Sequence, residues 1–325
     1  MKAVVCKAFG EPETLVVGTL ERPPLGETQV RVAVHAASVG FADILMVQGK
    51  YQVRPEPPFA PGAEAAGEVI EVGARVTRVK PGDRVSVGNY WGAFAEEMVA
   101  EEAWTFPMPD GLDYPTAAAF RVAYGTSCFA LENRANLRSG EVLAVHGAAG
   151  GVGLAAVDLG RMMGARVVGT VGSDEKAGIV REYGATDVIN YSTERVRDRI
   201  KALTDGQGAD VIYDAVGGDV FDESLRCINW NGRLLVIGFA SGRIPSAPAN
   251  LALLKNCAIV GVFYGAWIAR YPDEALEMHT RLMQWCAEGR IKPHISATAP
   301  LEEAVDVLGA IARREVTGKV VLTVR

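Results

Sequence analysis

A glycine-rich turn is the part of the sequence whose residue types and spacing most clearly indicate chemistry. The segment Leu143-Ala-Val-His-Gly-Ala-Ala-Gly-Gly-Val-Gly-Leu-Ala-Ala156 places clustered glycines directly after an apolar run and at the start of a long apolar helix. Gly150 allows the backbone to approach a diphosphate closely, and Gly153 allows the helix to pack tightly on the strand. The N-terminus of such a helix offers free N–H groups and the positive end of its dipole. The turn from Gly147 to Gly153 therefore predicts a dinucleotide site.

Ala148 departs from the ideal spacing, because it stands where the first glycine of a G-x-G-x-x-G motif would be. A small residue still passes through such a turn. The alternative interpretation is a tight strand-to-helix turn that binds no ligand. The series of strands and helices around the turn favours the dinucleotide.

The residues after the second strand of this region indicate which dinucleotide binds. An NAD site usually carries an acid there for the ribose hydroxyls, whereas this strand ends in Val171, Gly172 and Ser173. The pair Asp174-Glu175 comes late, where it caps and charges the next helix. Lys176 and the hydroxyl of Tyr191 can reach an additional phosphate, although Lys176 could instead be a solvated helix lysine. These residues predict NADPH rather than NADH.

The pattern of predicted secondary structure changes along the chain and divides it into two domains. Up to about residue 98 the sequence shows short β-rich segments separated by Pro and Gly, with strands predicted at Leu15–Thr19, Gln29–Ala37, Ala66–Val72 and Arg84–Val87. After Pro115 helical stretches alternate with apolar strands, predicted at Val142–His146, Arg166–Thr170, Asp187–Asn190, Asp210–Tyr213, Arg233–Ile237 and Ala258–Val262. This alternation predicts an α/β fold with a doubly wound parallel sheet.

The C-terminal segments add no further strand–helix unit to that sheet. Asp273–Glu288 and Leu301–Arg313 have amphipathic helical patterns, and Val320–Thr323 predicts a closing strand. We therefore assign them to the first domain. The predicted domains are residues 1–122 completed by 263–325, and residues 123–262.

Composition narrows the class of partner. The chain of 325 residues has 33 Lys and Arg against 39 Asp and Glu, a formal net charge of −6, so nucleic acid is not expected as a partner. Five scattered cysteines form no CxxC pair and predict no disulfide framework. No signal peptide or membrane-spanning run is recognisable, which predicts a cytoplasmic protein without a membrane partner.

Four motifs together resemble the medium-chain dehydrogenase/reductase superfamily: Val79-Lys-Pro-Gly-Asp-Arg-Val85, Pro61-Gly-Ala-Glu-Ala-Ala-Gly67, Tyr124-Gly-Thr-Ser127, and the glycine turn followed by Gly184-Ala-Thr-Asp187. Gly49-Lys-Tyr51 and the glycine turn are most similar to its zinc-independent, zeta-crystallin-like NADPH:quinone oxidoreductase branch. The resemblance covers the whole chain. It implies a Rossmann NADPH-binding domain, a mostly β GroES-like catalytic domain, and a homodimer formed through the edge strand near 258–264.

The zinc alcohol dehydrogenases of this superfamily need thiolate and imidazole ligands, and the resemblance places Gly40, Ala63 and Ala118 at those positions. We therefore expect no metal and an acceptor that is already electrophilic. A quinone is the leading prediction. An enone or enoyl thioester is the alternative, and a nucleotide-binding protein with little catalysis is an alternative of another class.

The resemblance also implies site residues. Tyr51 is the predicted substrate-pocket donor or stacking platform, with Trp91 near it, although both could simply pack in short loops. Gly40-Phe-Ala-Asp43 has Gly where the branch usually has Asn, and Asp43 is expected to cap the helix Ile44–Gln48. Beyond the residues above, the expected cofactor contacts are Phe41, Thr126, Gly151, Val152, Gly238, Phe239, Ser241, Phe263 and Arg314, the last flanked by charges.

Overall fold

The computed structural model describes every residue from Met1 to Arg325. The strands are β1 (Lys2–Val5), β2 (Val16–Thr19), β3 (Gln29–Val39), β4 (Glu64–Val72), β5 (Arg84–Gly88), β6 (Glu97–Glu101), β7 (Thr105–Pro107), β8 (Val142–His146), β9 (Arg166–Val171), β10 (Asp187–Asn190), β11 (Ala209–Asp214), β12 (Ile228–Val236), β13 (Ala258–Gly261), β14 (Ile295–Pro300) and β15 (Lys319–Thr323). The helices are α1 (Phe41–Val47), α2 (Tyr114–Cys128), α3 (Gly151–Met162), α4 (Asp174–Glu182), α5 (Val196–Leu203), α6 (Gly218–Cys227), α7 (Ala249–Lys255), α8 (Tyr264–Arg270), α9 (Pro272–Ala287) and α10 (Ala304–Ala312).

The chain divides into two compact units. The first unit comprises Met1–Val122 and Gly265–Arg325, and the second comprises Ala123–Tyr264. None of the helices combines the length and the apolar character needed to cross a membrane.

The second unit is built on one six-stranded sheet in the order β10-β9-β8-β11-β12-β13, and every neighbouring pair is parallel. Its central strand β8 does not alternate between buried and exposed residues. Leu143, Ala144 and Val145 are all fully buried, as helices on both faces require. The strand order reverses between β8 and β11, and in such sheets ligands bind outside the carboxyl ends of the strands at that point. The predicted doubly wound fold is confirmed.

The first unit is mostly antiparallel. Its seven-stranded sheet runs β14-β15-β3-β4-β5-β7, with β6 also paired to β3, and β1 and β2 form a separate two-stranded sheet. β15 pairs antiparallel with the end of β3, so the C-terminal strand completes the sheet and brings Lys319 to the end of β3. The core between the strands is formed by Val32, Val34, Val85, Phe94 and Met98, among others.

Several elements differ from the sequence prediction. Leu301–Arg313 is not one helix, because a 3-10 turn at Leu301–Glu303 precedes α10. β12 begins five residues before the predicted Arg233–Ile237 strand and includes the exposed Trp230, which interrupts its apolar run. β1, β6, β7 and β14 were not predicted, since they are short or carry Glu, Thr and Pro on exposed positions.

Candidate functional site

The glycine turn between β8 and α3 is held in a close contact that only glycine permits. Gly147 has a φ of 67°, and the carbonyl of Gly147 accepts a hydrogen bond from the amide of Gly150 at 3.0 Å. A Cβ on Gly153 would lie 2.2 Å from the Gly147 oxygen. The first turn of α3 therefore presses against the end of β8. The amides of Gly151, Val152 and Gly153 belong to that first turn and have no acceptor within the helix.

Ser127 and Tyr213 anchor this turn from two other elements. The Ser127 hydroxyl donates to the carbonyl of Val152 at 2.9 Å and lies 3.0 Å from the hydroxyl of Tyr213 on β11. Burial raises the pKa of Tyr213, so its hydroxyl stays protonated. Thr126, a predicted cofactor contact, is the half-buried neighbour of Ser127 on α2. The role of Ser127 could not be predicted from the motif Tyr124-Gly-Thr-Ser127, because the interacting carbonyl is distant in the chain.

The loops after β11 and β12 lie beside each other at the carboxyl edge of the sheet. The buried Asp214 carboxylate accepts hydrogen bonds from the amides of Val216 and Gly217 at 2.8 and 2.9 Å. The Asp214 carbonyl accepts from Gly238 at 3.3 Å, and the Val216 carbonyl accepts from Ser241 at 2.9 Å. Predicted contacts Gly238, Phe239 and Ser241 are thus placed at the edge of the sheet where the glycine turn lies.

A polar group forms at the end of β9. Ser173 is the N-cap of α4 and accepts a hydrogen bond from the amide of Lys176 at 3.4 Å. The Tyr191 ring lies against Gly172, where a Cβ would come within 2.7 Å of the tyrosine hydroxyl. The first acid after the strand, Asp174, accepts a hydrogen bond from the Asn190 side chain at 2.9 Å. The structure therefore brings Gly172, Ser173, Tyr191 and the backbone of Lys176 together. Their contact with a cofactor stays a prediction.

These donors fit a phosphate-bearing dinucleotide. The close approach at Gly153 exposes first-turn amides to a diphosphate, and a helix N-terminus adds a favourable dipole. Lys176, Ser173 and Tyr191 supply a cation and two hydroxyls, which suit an additional phosphate. Asp174 Oδ1 already accepts a hydrogen bond from the side chain of Asn190.

The first unit carries an aromatic group around Tyr51. The rings of Tyr51 and Tyr90 lie 6.4 Å apart, and those of Tyr90 and Trp104 lie 5.1 Å apart in an edge contact. Burial raises the pKa of Tyr51 to about 12, and the charge of Asp43 adds to the rise. The Tyr51 hydroxyl is therefore a hydrogen-bond donor at neutral pH. Trp91 is half-buried and packs against the core of the unit, as Tyr51 does.

Three charged side chains are buried beside Gly40. Lys319 Nζ lies 2.8 Å from Glu64 Oε1, and Glu64 Oε2 accepts from the amide of Val122 at 2.7 Å. Asp43 Oδ2 accepts from the amide of Gly40 at 2.7 Å, so Asp43 caps α1 from within its first turn. The predicted helix start at Ile44 is wrong, because α1 begins at Phe41 with Gly40 as its N-cap. Burial raises the pKa of Asp43 to about 7, while the Gly40 amide and Lys319 oppose the rise.

Zinc does not fit at this place. No group of three or more His, Cys, Asp or Glu side chains in the structure could hold a metal ion. Gly40 and Ala63 offer no side-chain ligand. The ammonium of Lys319 already pairs with Glu64, and its charge would repel a second cation.

Three further predicted cofactor contacts have these positions. Phe41 is the first residue of α1 and packs against the core of the first unit. Arg314 follows α10 in a left-handed conformation with a φ of 61°, and the neighbouring Arg313 pairs with Glu315 at 2.9 Å. Phe263, in the second unit, is 49% exposed. Their contact with a cofactor stays a prediction.

Comparison with known proteins agrees with this architecture. Residues 26–110 match the alcohol dehydrogenase GroES-like domain family, and residues 151–281 match the zinc-binding dehydrogenase family. The quinone oxidoreductase-like protein 2 homolog of Nematostella vectensis is 44% identical over 100% of this chain and 89% of its own length. The chain belongs to the medium-chain dehydrogenase/reductase superfamily, in its zeta-crystallin-like quinone oxidoreductase branch.

Two solved structures show how closely other proteins share this fold. The Escherichia coli quinone oxidoreductase in complex with NADPH has a TM-score of 0.93 and is 28% identical, with both chains covered completely. A 2-haloacrylate reductase has a TM-score of 0.88 and is also 28% identical, again over 100% of both chains. Overall similarity therefore does not choose between these two substrate classes.

We expect Gly153→Ala to weaken dinucleotide binding and to lower the free energy of unfolding by about 1–3 kcal/mol, because the new methyl group collides with a backbone oxygen. Urea unfolding and calorimetric titration with NADPH measure the two effects. Gly178→Ala is the matched control, since a Cβ on this exposed residue of α4 meets no atom within 4 Å. That substitution should leave binding unchanged and stabilise the helix by about 0.5–1 kcal/mol. Equal binding by both variants would contradict the assignment of the turn.

Proposed function

We propose that this protein is an NADPH-dependent oxidoreductase that transfers hydride to a quinone and uses no metal ion. The observation that carries the proposal is the placement of Ser173, Lys176 and Tyr191 around Gly172, at the sheet edge that also bears the glycine turn. The NADPH complex of the Escherichia coli relative supports the choice of cofactor. The unsuitable donor set at Gly40 and Ala63 supports the metal-free mechanism.

The residues of the chain then have distinct tasks. NADPH, when bound, supplies the hydride. The first-turn amides of α3 hold the diphosphate, and Lys176 with Tyr191 holds the additional phosphate. A quinone that accepts two electrons and one proton as hydride becomes a hydroquinone anion. The protonated hydroxyl of Tyr51 donates a hydrogen bond to that oxygen, and solvent supplies the second proton.

Reduction of an activated carbon–carbon double bond is the second candidate. It uses the same hydride step and also places negative charge on an oxygen, as an enolate. The equal identity to the 2-haloacrylate reductase supports it. A protein that binds nucleotide with little catalysis is the candidate from another class, and Gly40, in place of the usual Asn of the branch, supports that candidate.

A panel of acceptors tests the proposal. Purified protein should consume NADPH with a simple quinone faster than with an enone or an enoyl thioester, as measured by loss of absorbance. Activity with the thioester alone would refute the quinone as substrate and support the second candidate, reduction of an activated carbon–carbon double bond. Tight NADPH binding with no turnover of any acceptor would favour the nucleotide-binding protein.

Lys176→Ala tests the cofactor preference. We expect the KM for NADPH to rise about tenfold or more while the KM for NADH changes little, because only NADPH loses a phosphate partner. Initial rates with both coenzymes at saturating quinone provide the measurement. Arg181→Ala, on the same helix but in its last turn, is the control. Equal rises for NADPH and NADH would refute the role of Lys176.

We also propose that the second unit forms a homodimer through β13. This strand is the last in its sheet and keeps one edge unpaired, with Ile259 37% exposed. The nearby helix α7 buries no side chain, and its Leu253 and Leu254 are 79% and 67% exposed. An apolar surface around an unpaired strand is suited to a second copy of the same chain.

Ile259→Lys should convert the dimer to a monomer, because a charged side chain on an edge strand opposes pairing. Light scattering coupled to gel filtration measures the mass. Val17→Lys is the matched control, since Val17 lies on β2 of the first unit and is 41% exposed. A wild-type protein that runs as a monomer would end this proposal.

A further inference from the structure

Arg121 is a buried cation without an anionic partner. It lies on α2 within the first unit and is 2% exposed. Its Nη2 donates one hydrogen bond, to the carbonyl of Ala63 at 3.0 Å, while Nε and Nη1 are buried and have no acceptor. The guanidinium carbon lies 5.4 Å from the centroid of the Trp104 ring. A neutral carbonyl and an aromatic face are thus its main partners.

The guanidinium occupies space that is left by the absence of a side chain at Gly88. A Cβ on Gly88, at the end of β5, would lie 2.0 Å from Arg121 Nη2 and 2.1 Å from Cζ. Any other residue at this position would displace the charged group. Arginine does not lose its proton in proteins, so the group remains cationic inside the unit. A buried charge with unmade hydrogen bonds is costly, and such groups concentrate at functional sites.

The positive charge acts on the two tyrosines of the aromatic group. Trp104 contacts both the guanidinium and the ring of Tyr90, and the Tyr90 ring lies 6.4 Å from the ring of Tyr51. Burial raises the pKa of both tyrosines, and Arg121 opposes the rise at each. The charge of Arg121 therefore reduces the cost of a negative charge at these hydroxyls, although burial has the larger effect.

No other charged side chain near Tyr51 and Tyr90 lowers the pKa of both tyrosines. Asp43 raises the pKa of Tyr51, so its effect there is opposite. Arg270 lowers the pKa of Tyr90 and adds to the effect of Arg121 at that ring only. His279 stays neutral, because burial and the charge of Arg121 both lower its pKa. Among these groups, Arg121 alone favours negative charge at Tyr51.

We propose that Arg121 is a positioning residue whose fixed positive charge stabilises the oxyanion formed when an acceptor is reduced beside Tyr51 and Tyr90. This inference rests on the proposed function and deepens it. It assigns the substrates to acceptors that pass through an oxygen anion. A quinone receives a hydride and becomes a hydroquinone anion, and an enone becomes an enolate; each anion then takes one proton from solvent. Stabilisation of developing charge by a preorganised group is a large contribution to catalysis.

An ionisable phenol measures this charge directly. Para-nitrophenol resembles the oxyanion, and the absorbance of its phenolate reports ionisation on the enzyme loaded with NADP⁺. We expect the pKa of the bound phenol to be about one unit lower on the wild-type enzyme than on Arg121→Met, equal to a tenfold preference for the anion. Arg121→Lys should restore most of the preference, because it keeps the charge. Arg84→Met is the matched control, since Arg84 also lies over an aromatic ring, 4.8 Å from the centroid of Tyr114, in the same unit.

Steady-state kinetics provide a second measurement. Arg121→Met should lower kcat for the reactive acceptor about tenfold while the KM for NADPH stays unchanged. Gly88→Ala should also lower kcat, because the new methyl group moves the guanidinium without removing it. This variant and Arg121→Lys keep the test decisive if Arg121→Met does not fold.

Two results would overturn the inference: a phenol that ionises equally on the wild type and Arg121→Met, or a kcat that falls no more in Arg121→Met than in Arg84→Met. Both require a wild-type enzyme that turns over an acceptor. A wild type that binds no NADPH, or reduces nothing, refutes the proposed function instead, so the two failures are distinguishable.

Discussion

The missing side chain at Gly153 is the constraint on which the nucleotide-binding surface depends. With a Cβ there, α3 would have to move away from the Gly147 carbonyl, which lies 2.2 Å from the position of that atom. The first-turn amides would then no longer lie over the end of β8, where the strand order of the sheet reverses. Ser127 and Tyr213 reinforce the same arrangement from α2 and β11. Close packing and anion binding are therefore two consequences of one contact.

At two other positions a glycine likewise leaves space for a neighbouring group. Gly172 leaves space for the Tyr191 ring, and Gly88 leaves space for the Arg121 guanidinium. In each case the neighbouring polar group occupies the volume of an absent Cβ. A substitution at these glycines would change electrostatics through geometry, without altering any charged residue. The positions of these polar groups therefore depend on the neighbouring glycines as well as on the polar residues themselves.

Local sequence patterns predicted the bounds of two strands of the parallel sheet correctly. β8 has the predicted bounds, because a strand covered on both faces is a continuous apolar run between turn residues. β10 also has the predicted bounds, although it is an edge strand in which only Ile189 is buried. β14 was missed since its residues are mostly exposed and it ends in Pro300. Among the site residues, Ser173, Lys176 and Tyr191 follow strands of one parallel sheet, so their proximity follows from topology. Arg121 has no such signal: in the sequence it is one charged residue on a helix, and only the distant Gly88 and Trp104 distinguish it from a solvated one.

Two of the buried cations of the first unit, Lys319 and Arg121, differ in how their charge is compensated. Lys319 lies 2.8 Å from Glu64, with Asp43 close by, so its field is largely cancelled within the trio. One consequence is that Asp43, with a pKa near 7, can hold a proton beside Lys319 without leaving an unpaired charge. Arg121 has only a carbonyl and a ring, and its field extends to the tyrosines. The trio is therefore suited to holding α1, β4 and β15 together, whereas the uncompensated guanidinium is suited to stabilising a charge that exists only during the reaction. Hydride transfer to a neutral acceptor creates such a charge on oxygen, and a fixed cation in a site without a suitable set of metal ligands meets that requirement.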